Sequence, residues 1–278
     1  MADAAPVLRF DDVSLRYGDN VALDHVSFQL YGGESRIIFG AAGAGKTVLL
    51  KAAAGLVKPD SGRIYVFEQD ITHMKESQLY EIRAGIGILF QEGGLFDSLD
   101  IGENVGYPLL NQPSLRHKFL ENGQGRSLSD RVHEALRFVE LEHTIEKFPS
   151  EVSGGMRRRV GIARAVITEP ALMLYDSPTA GLDPITANNI IAVILKGRET
   201  RNTANLMVTH RYQDGHLMAN FRYNPESGKV QPAPVPLDPR RTRFFVMKEG
   251  RLVFEGSEAE LQASTDDYVK KFRGISVS

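Results

Sequence analysis

The stretch "GAAGAGKT", Gly40 to Thr47, decides how this chain is read. It follows a short apolar run, "SRIIF", and leads into "TVLLKAAAGLV", where Ala and Leu predict a helix over 47–57 that Gly55 weakens near its end. A strand that enters a G-x-x-x-x-G-K-[ST] turn and leaves it as a helix is the context of a phosphate cradle. The reason is geometric. Gly43 and Gly45 let the backbone curl so that its N–H groups point inward at phosphate oxygens, which makes Gly40, Ala41, Ala42, Gly43, Ala44, Gly45 and Val48 candidate cofactor-binding residues. The helix that opens there adds the positive end of its dipole. Lys46 is placed to reach β- and γ-phosphates, and Thr47 to offer a hydroxyl to Mg²⁺.

Composition bounds the rest. The 278 residues suffice for one large α/β domain or two small ones. Hydrophobic residues make up 42% and charged residues 24%, ordinary values for a globular chain with a real core. A net charge of −2 argues against a dedicated nucleic-acid binder, which would normally be basic. Absence of cysteine excludes disulfides, Fe–S clusters and Cys-ligated zinc. The opening "MADAAPVLRF" has neither a basic start nor an apolar centre, so it is not read as a signal peptide. No run approaches the roughly 18 apolar residues of a membrane span. Direct membrane insertion is therefore not expected, and any membrane role must come through a partner.

Outward from the cradle, residues 7–39 alternate apolar and polar side chains with Gly and Asp at the breaks, which predicts strands. "RIYVFEQD" and "IGILFQ" read as further strands. The region 95–150 changes character: a polar, loop-like "NQPSLRHKFLENGQGRSLSD" precedes "RVHEALRFVEL", where Val132, Leu136 and Val139 fall at helical spacing. "MRRRVGIARAVI" predicts another helix. The strands "ALMLYD" and "NLMVTH" flank a helix through "ITANNIIAVILKGRE", and such alternation implies a mostly parallel sheet. "FFVMKEGRLVFEG" predicts a hairpin turning at Glu249-Gly250. Within 221–243, "QPAPVPLDP" favours an extended, polyproline-like surface loop.

Two more features carry chemistry. Asp176 ends the apolar run "LMLYD", where a buried unpaired carboxylate would be costly; beside a cation it is not, and it is the candidate second Mg²⁺ anchor. Ser153, Gly154 and Gly155 immediately precede the basic helix and form a second anion-seeking helix start. A simple helix cap also explains that triplet. Together the two starts suggest a composite site in which one subunit's cradle is closed by another subunit's Ser-Gly-Gly.

The order cradle, "LFQEGG", "SGGM", "LMLYD", "AGLDP", "VTH" resembles the ATP-binding-cassette (ABC) ATPases across almost the whole chain. That resemblance implies an α/β P-loop NTPase cassette with a mostly parallel sheet, an N-terminal antiparallel β subdomain and an inserted α-helical subdomain. It divides the chain into a nucleotide-binding core (7–94 and 156–258), a helical subdomain (95–155), a proline-rich insert (221–243) and a tail (259–278). The resemblance also implies roles. Tyr17 would stack on adenine. Gln91 would touch Mg²⁺ and water and sense a membrane partner. Ser153, Gly154, Gly155 and Met156 would be the signature motif, with Met156 where Gln is commoner. Asp183 would work across a dimer interface, and His210 would hold the γ-phosphate.

More narrowly, "GGLFDSLDIGENVGYPL", "SGGMRRRVGIARA", "DPIT" and the tail "DDYVKKFRG" are similar to the ATPases of Mce-type lipid transporters, among them the systems that maintain outer-membrane lipid asymmetry. The expected cofactors are ATP and Mg²⁺. Expected partners are integral-membrane permease subunits, met around Gln91 with Leu95 and Phe96, and a second ATPase subunit, normally a second copy. The expected location is peripheral, on the cytoplasmic side of a bacterial inner membrane. In relatives such a tail helps the two ATPases hold each other; the alternative is a tail helix packed on its own subunit.

One residue departs from the pattern. Relatives carry Glu where this chain has Ser177, and a serine cannot accept a proton at neutral pH. General-base help is worth about 10²–10⁴ in rate, so slow rather than absent hydrolysis is expected. Glu92, Asp183, or a water held by Ser177 and His210 are the candidate substitutes. Alternatives are a mixed dimer whose partner supplies the acid, a non-hydrolysing ATP-binding module, or an ABC ATPase outside transport.

Overall fold

The computed structural model describes residues 5–91, 93–117, 119, 126–235 and 238–274. Two strands, Leu8–Tyr17 (β1) and Asn20–Leu30 (β2), alternate buried and open positions, as one-sided strands do. The third, Ser35–Gly40 (β3), is buried at every position and runs through the cradle into helix Lys46–Ala53 (α1). Strands Ser61–Val66 (β4) and Gln69–Asp70 (β5) follow, then helix Glu76–Ala84 (α2) and strand Ile86–Leu89 (β6). Helices Ile101–Asn111 (α3), Pro113–Arg116 (α4) and Leu128–Phe138 (α5) come next. Helix Gly154–Val166 (α6) leads to strand Leu172–Asp176 (β7), helix Pro184–Arg201 (α7), strand Ala204–Val208 (β8) and helix Tyr212–Asn220 (α8). The remainder comprises strands Phe221–Asn224 (β9), Lys229–Pro232 (β10), Thr242–Lys248 (β11) and Arg251–Gly256 (β12), helix Glu258–Ala263 (α9) and a 3₁₀ turn, Val269–Phe272.

The central sheet has the order β12-β11-β3-β8-β7-β6; β11 and β12 pair antiparallel and the other described pairs are parallel. A second, antiparallel sheet has the order β2-β1-β4-β5. Strand period explains how they stack. Along the central strands, Ile37, Phe39, Met173, Tyr175 and Met207 join one apolar cluster with side chains of α5, α6 and α7. The alternate residues Ile38, Leu172, Leu174, Leu206 and Val208 join a second cluster with β1, β2, β4 and α1. Successive side chains point to opposite faces, so the sheet is buried on both sides. Each fully buried Leu or Ile there contributes about 1.5–3 kcal/mol.

Several expectations shift. The helix predicted over 47–57 ends at Ala53. The region 221–243 is not a simple loop: it opens with the hairpin β9–β10, paired from Phe221↔Pro232 to Asn224↔Lys229, and β11 begins at Thr242. Phe221, Tyr223 and Val230 turn their apolar groups onto the core, a tertiary gain that the nearby prolines masked. Among the described residues, to Gly274, the tail holds no long amphipathic helix but the short α9 and the 3₁₀ turn, both packed on this chain's own core. At the far end of the sheet from the cradle, Arg198 is almost wholly buried. It donates to the Met218 carbonyl (2.9 Å) and to Thr242 Oγ1 (3.1 Å), joining α7, α8 and β11.

Candidate nucleotide site

The site is assembled where the parallel strands end. Register sets it out: Ile38 lies opposite Val208, Val208 opposite Asp176, and Leu89 opposite Tyr175. Gly40, His210, Asp176 and Gln91 are thereby brought to the carboxyl edge of four adjacent strands, where open α/β sheets bind ligands. The cradle turns at Gly43 (φ 76°) and Gly45 (φ 100°). At Gly45 a Cβ would also lie 2.1 Å from the Ala22 carbonyl, so both conformation and space demand glycine. No side chain caps α1.

Lys46 is buried, and its Nζ donates to the carbonyls of Gly40 (2.8 Å) and Ala41 (2.7 Å). Burial pushes its pKa down, and Asp176 opposes that. Thr47 Oγ1 donates to Asp176 Oδ2 at 3.0 Å, across the intervening strand β8. Among the described residues no group of three or more His, Cys, Asp or Glu could hold a metal by itself. Mg²⁺ needs no such cage: it takes one or two carboxylates plus substrate phosphates, and the Thr47–Asp176 pair beside Lys46 fits it. A cavity of about 220 Å³ runs along the cradle from Gly43 to Val48 and is closed by Asn20, Val21, Ala22 and Tyr17. Tyr17 is 53% exposed at its mouth. A larger cavity, about 570 Å³, lies by α8 and α9, but its lining includes Asp238 and Glu258, which would repel phosphate. Size alone therefore does not locate the nucleotide.

His210 is exposed, yet its pKa is lowered, first by partial desolvation and then by Lys46, with Asp176 opposing. Gln91 is exposed beyond β6. Glu92 lies outside the described residues. Phe96 is exposed, with its ring also against Tyr107, while Leu95 is half-buried against the core. Ser177 is buried at a left-handed φ of 49°. Its N–H donates to Val208 O (2.8 Å), and its Oγ bonds Asp176 Oδ1 (3.2 Å).

The second anion-seeking start sits elsewhere. Helix α6 packs on α3, α5, α7 and β6, whereas α1 packs on β2, β3, β4, β7 and β8. Ser153 caps α6, its Oγ accepting from Met156 N at 3.2 Å. Gly155 leaves no room for a Cβ against Thr186 Cγ2. Asp183 caps α7 through Oδ1, which accepts from Ile185 N and Thr186 N, both at 3.0 Å. The Thr186 side chain first, and then these backbone N–H groups, hold its exposed carboxyl below the usual carboxylate range.

Sequence reading missed the residues that tie these pieces together. Arg158 of α6 donates to the carbonyls of Ser177 (3.0 Å) and Ala180 (3.1 Å). Arg164 donates to Gly93 O (3.0 Å), joining α6 to the segment after Gln91. Asp214, almost wholly buried, accepts from Thr179 Oγ1 and Thr209 Oγ1, both at 2.6 Å. One carboxylate thus pins the loop after Ser177 to the strand end carrying His210. Burial raises its pKa, and the threonine hydroxyls oppose the shift. The three arginines at 157–159 were visible only as a basic helix.

Known proteins match this arrangement. The family described as "ABC transporter" covers residues 23–180. The chain is 36% identical over 209 residues to the methionine import ATP-binding protein MetN 2 of Rhodococcus jostii (strain RHA1), a stretch that is 74% of this chain and 59% of that protein. It is 33% identical over 217 residues to the intermembrane phospholipid transport system ATP-binding protein MlaF of Haemophilus influenzae, covering 78% and 79%. Its fold matches a dimeric post-hydrolysis state of the ATP-binding cassette MJ0796 bound to ADP and Pi, with TM-score 0.72, 27% identity, and 90% and 98% of the chains covered. This chain belongs to the ABC transporter family and has the ABC cassette fold: a mostly parallel central sheet, an N-terminal antiparallel β subdomain and a helical part. It spans less than two thirds of the length of the methionine importer ATPase it matches.

Proposed function

We propose that this chain is the ATP-binding, slowly ATP-hydrolysing subunit of a bacterial membrane transporter, working as a pair of cassettes beneath a permease. The observation that carries the reading is the 3.0 Å bond from Thr47 to Asp176 next to buried Lys46. Three groups that suit a Mg²⁺-triphosphate converge from two distant parts of the chain. In this reading Lys46 binds the β- and γ-phosphates, and Tyr17 stacks on the base. Thr47, Asp176 and Gln91 hold Mg²⁺, which when bound neutralises charge building on the phosphates. His210 orients the γ-phosphate. Ser153 to Met156 and Asp183 of a second copy complete the site. Ser177 takes no proton, so attack by water proceeds on positioning and charge alone.

Phosphate release under saturating MgATP tests this. Release that is slow but measurable, and lost on Lys46→Ala by about 10²-fold or more, is expected; failure of the wild-type chain to retain MgATP overturns it. A second reading, ATP binding without hydrolysis, is favoured by the Ser177 hydroxyl bonding to Asp176. ATP retention with release no faster than Lys46→Ala would establish that reading instead.

For the cargo we propose a phospholipid. The MlaF relative is matched over nearly four fifths of both chains, more evenly than the methionine importer. The resemblance after Gln91 and in the tail supports the same choice. Purification with the permease followed by lipid analysis should recover enriched phospholipid; hydrolysis stimulated by an amino acid instead would overturn this part.

A further inference from the structure

The tail meets the cradle through one hydroxyl. Tyr268 Oη accepts from the backbone N–H of Ala41 (3.2 Å) and donates to the carbonyl of Met247 (3.1 Å), using both capacities of a phenol. Ala41 is the second residue of the cradle, and its own carbonyl accepts from Lys46 Nζ at 2.7 Å. Tyr268 and Lys46 therefore grip the two ends of one residue. The tail segment is itself firmly seated. Asp266 Oδ1 accepts from the N–H groups of Tyr268 (2.8 Å) and Val269 (2.9 Å). Val269 is 1% exposed. Phe272 stacks on Phe39, with ring centroids 6.2 Å apart and planes 8° from parallel. Phe39 lies in β3 immediately before the cradle, so the tail bears on both the strand and its turn.

We infer that Tyr268 is a positioning residue for nucleotide binding: the tail sets the first turn of the cradle, and through Ala41 the lysine that meets the phosphates. This rests on the cradle binding ATP as proposed above. The phenol supplies what a loose tail cannot, a fixed partner for an N–H at the entrance of the glycine turn. Met247 faces Gly40 in the parallel register, so the same hydroxyl also ties the ends of β11 and β3 together at the cradle. Coupling of this kind is reciprocal, so bound nucleotide steadies the tail as much as the tail steadies the cradle.

Tyr268→Phe removes the hydroxyl and keeps the ring. In the full chain, titration calorimetry with MgATP well below the melting range should show affinity about five- to tenfold weaker. In the assembled complex, KM should rise by a similar factor with kcat little changed. A purely structural tyrosine would lower the thermal midpoint and leave affinity and KM where they were; unchanged affinity overturns the inference whatever the midpoint does. Hydrogen exchange gives an independent measurement on the unmutated protein. MgATP should slow exchange across 266–272, and no change there overturns the inference even if the variant does not fold. Should the wild-type chain bind MgATP no better than Lys46→Ala, the ATP reading itself has failed; should wild-type and Tyr268→Phe bind equally well, only the role of Tyr268 has.

Discussion

Helices α1 and α6 both open on a glycine-bearing turn, yet they begin differently. At α1 the residue before the helix is Gly45, left-handed and without a side chain to cap anything. At α6 it is Ser153, extended, with its hydroxyl already accepting from Met156 N. The first start has no side-chain cap and has Lys46, Thr47 and Asp176 gathered around it. The second start is partly satisfied by its own serine, and its arginines face inward to loop carbonyls. In the reading proposed above, the first is a site nearly complete within the chain and the second an edge that a partner completes. A helix N-terminus attracts anions in either case, but the surrounding side chains decide whether it is a whole site or half of one.

The sharpest probe of this contrast is Ser177→Glu, because Arg158 of α6 holds the very loop that carries Ser177. If only a general base is missing, steady-state phosphate release should rise about 10²–10⁴-fold. A fall would mean that the buried, left-handed position has been built around a small hydroxyl and rejects a longer acid. A smaller effect is expected at the second start. Ser153→Ala loses a cap worth about 1 kcal/mol, visible as a modest drop in the thermal midpoint. MgATP binding by the single chain should stay at the wild-type level while ATP-driven pairing of two copies weakens, read by light scattering. Loss of single-chain binding comparable to Lys46→Ala would break the distinction between a whole site and a half site.

The smallest effect concerns pH. His210 in the folded chain has a pKa below its ordinary value of 6.5, so the unfolded chain binds that proton more readily. The stability it contributes is present above 6.5 and is lost as pH falls through the lowered folded value. Thermal midpoints of the nucleotide-free protein between pH 7.5 and pH 5.5 should therefore fall slightly less for His210→Gln than for the wild type. Equal slopes would show that His210 is more freely solvated than its position beside Lys46 implies.

How legible was this in the chain? Gly40 to Thr47 could be read outright, because a glycine turn between a strand and a helix is dictated by neighbours in sequence. Asp176 was legible as an acid ending an apolar strand, and the fold class followed from alternating strands and helices. The hairpin within 221–243 was not legible, since prolines outweighed a weak alternation that gains its stability only against α7. Nor were Arg158, Arg164, Asp214 and Tyr268. Most of their partners lie far along the chain, up to 227 residues away for Tyr268 and Ala41, and such pairs leave no periodic mark.

By itself the sequence determined a glycine turn between a buried strand and a helix and the residue types that line it, because backbone conformation at Gly43 and Gly45 and the two-residue period of buried strands are local properties. Only the folded chain decided that Thr47 meets Asp176, that Asp214 locks two loops, and that a tail tyrosine grips Ala41. Hydrogen bonds succeed or fail over tenths of an ångström, and distances that fine are fixed by how β3, β8 and β7 pack side by side, not by any stretch of residues read alone.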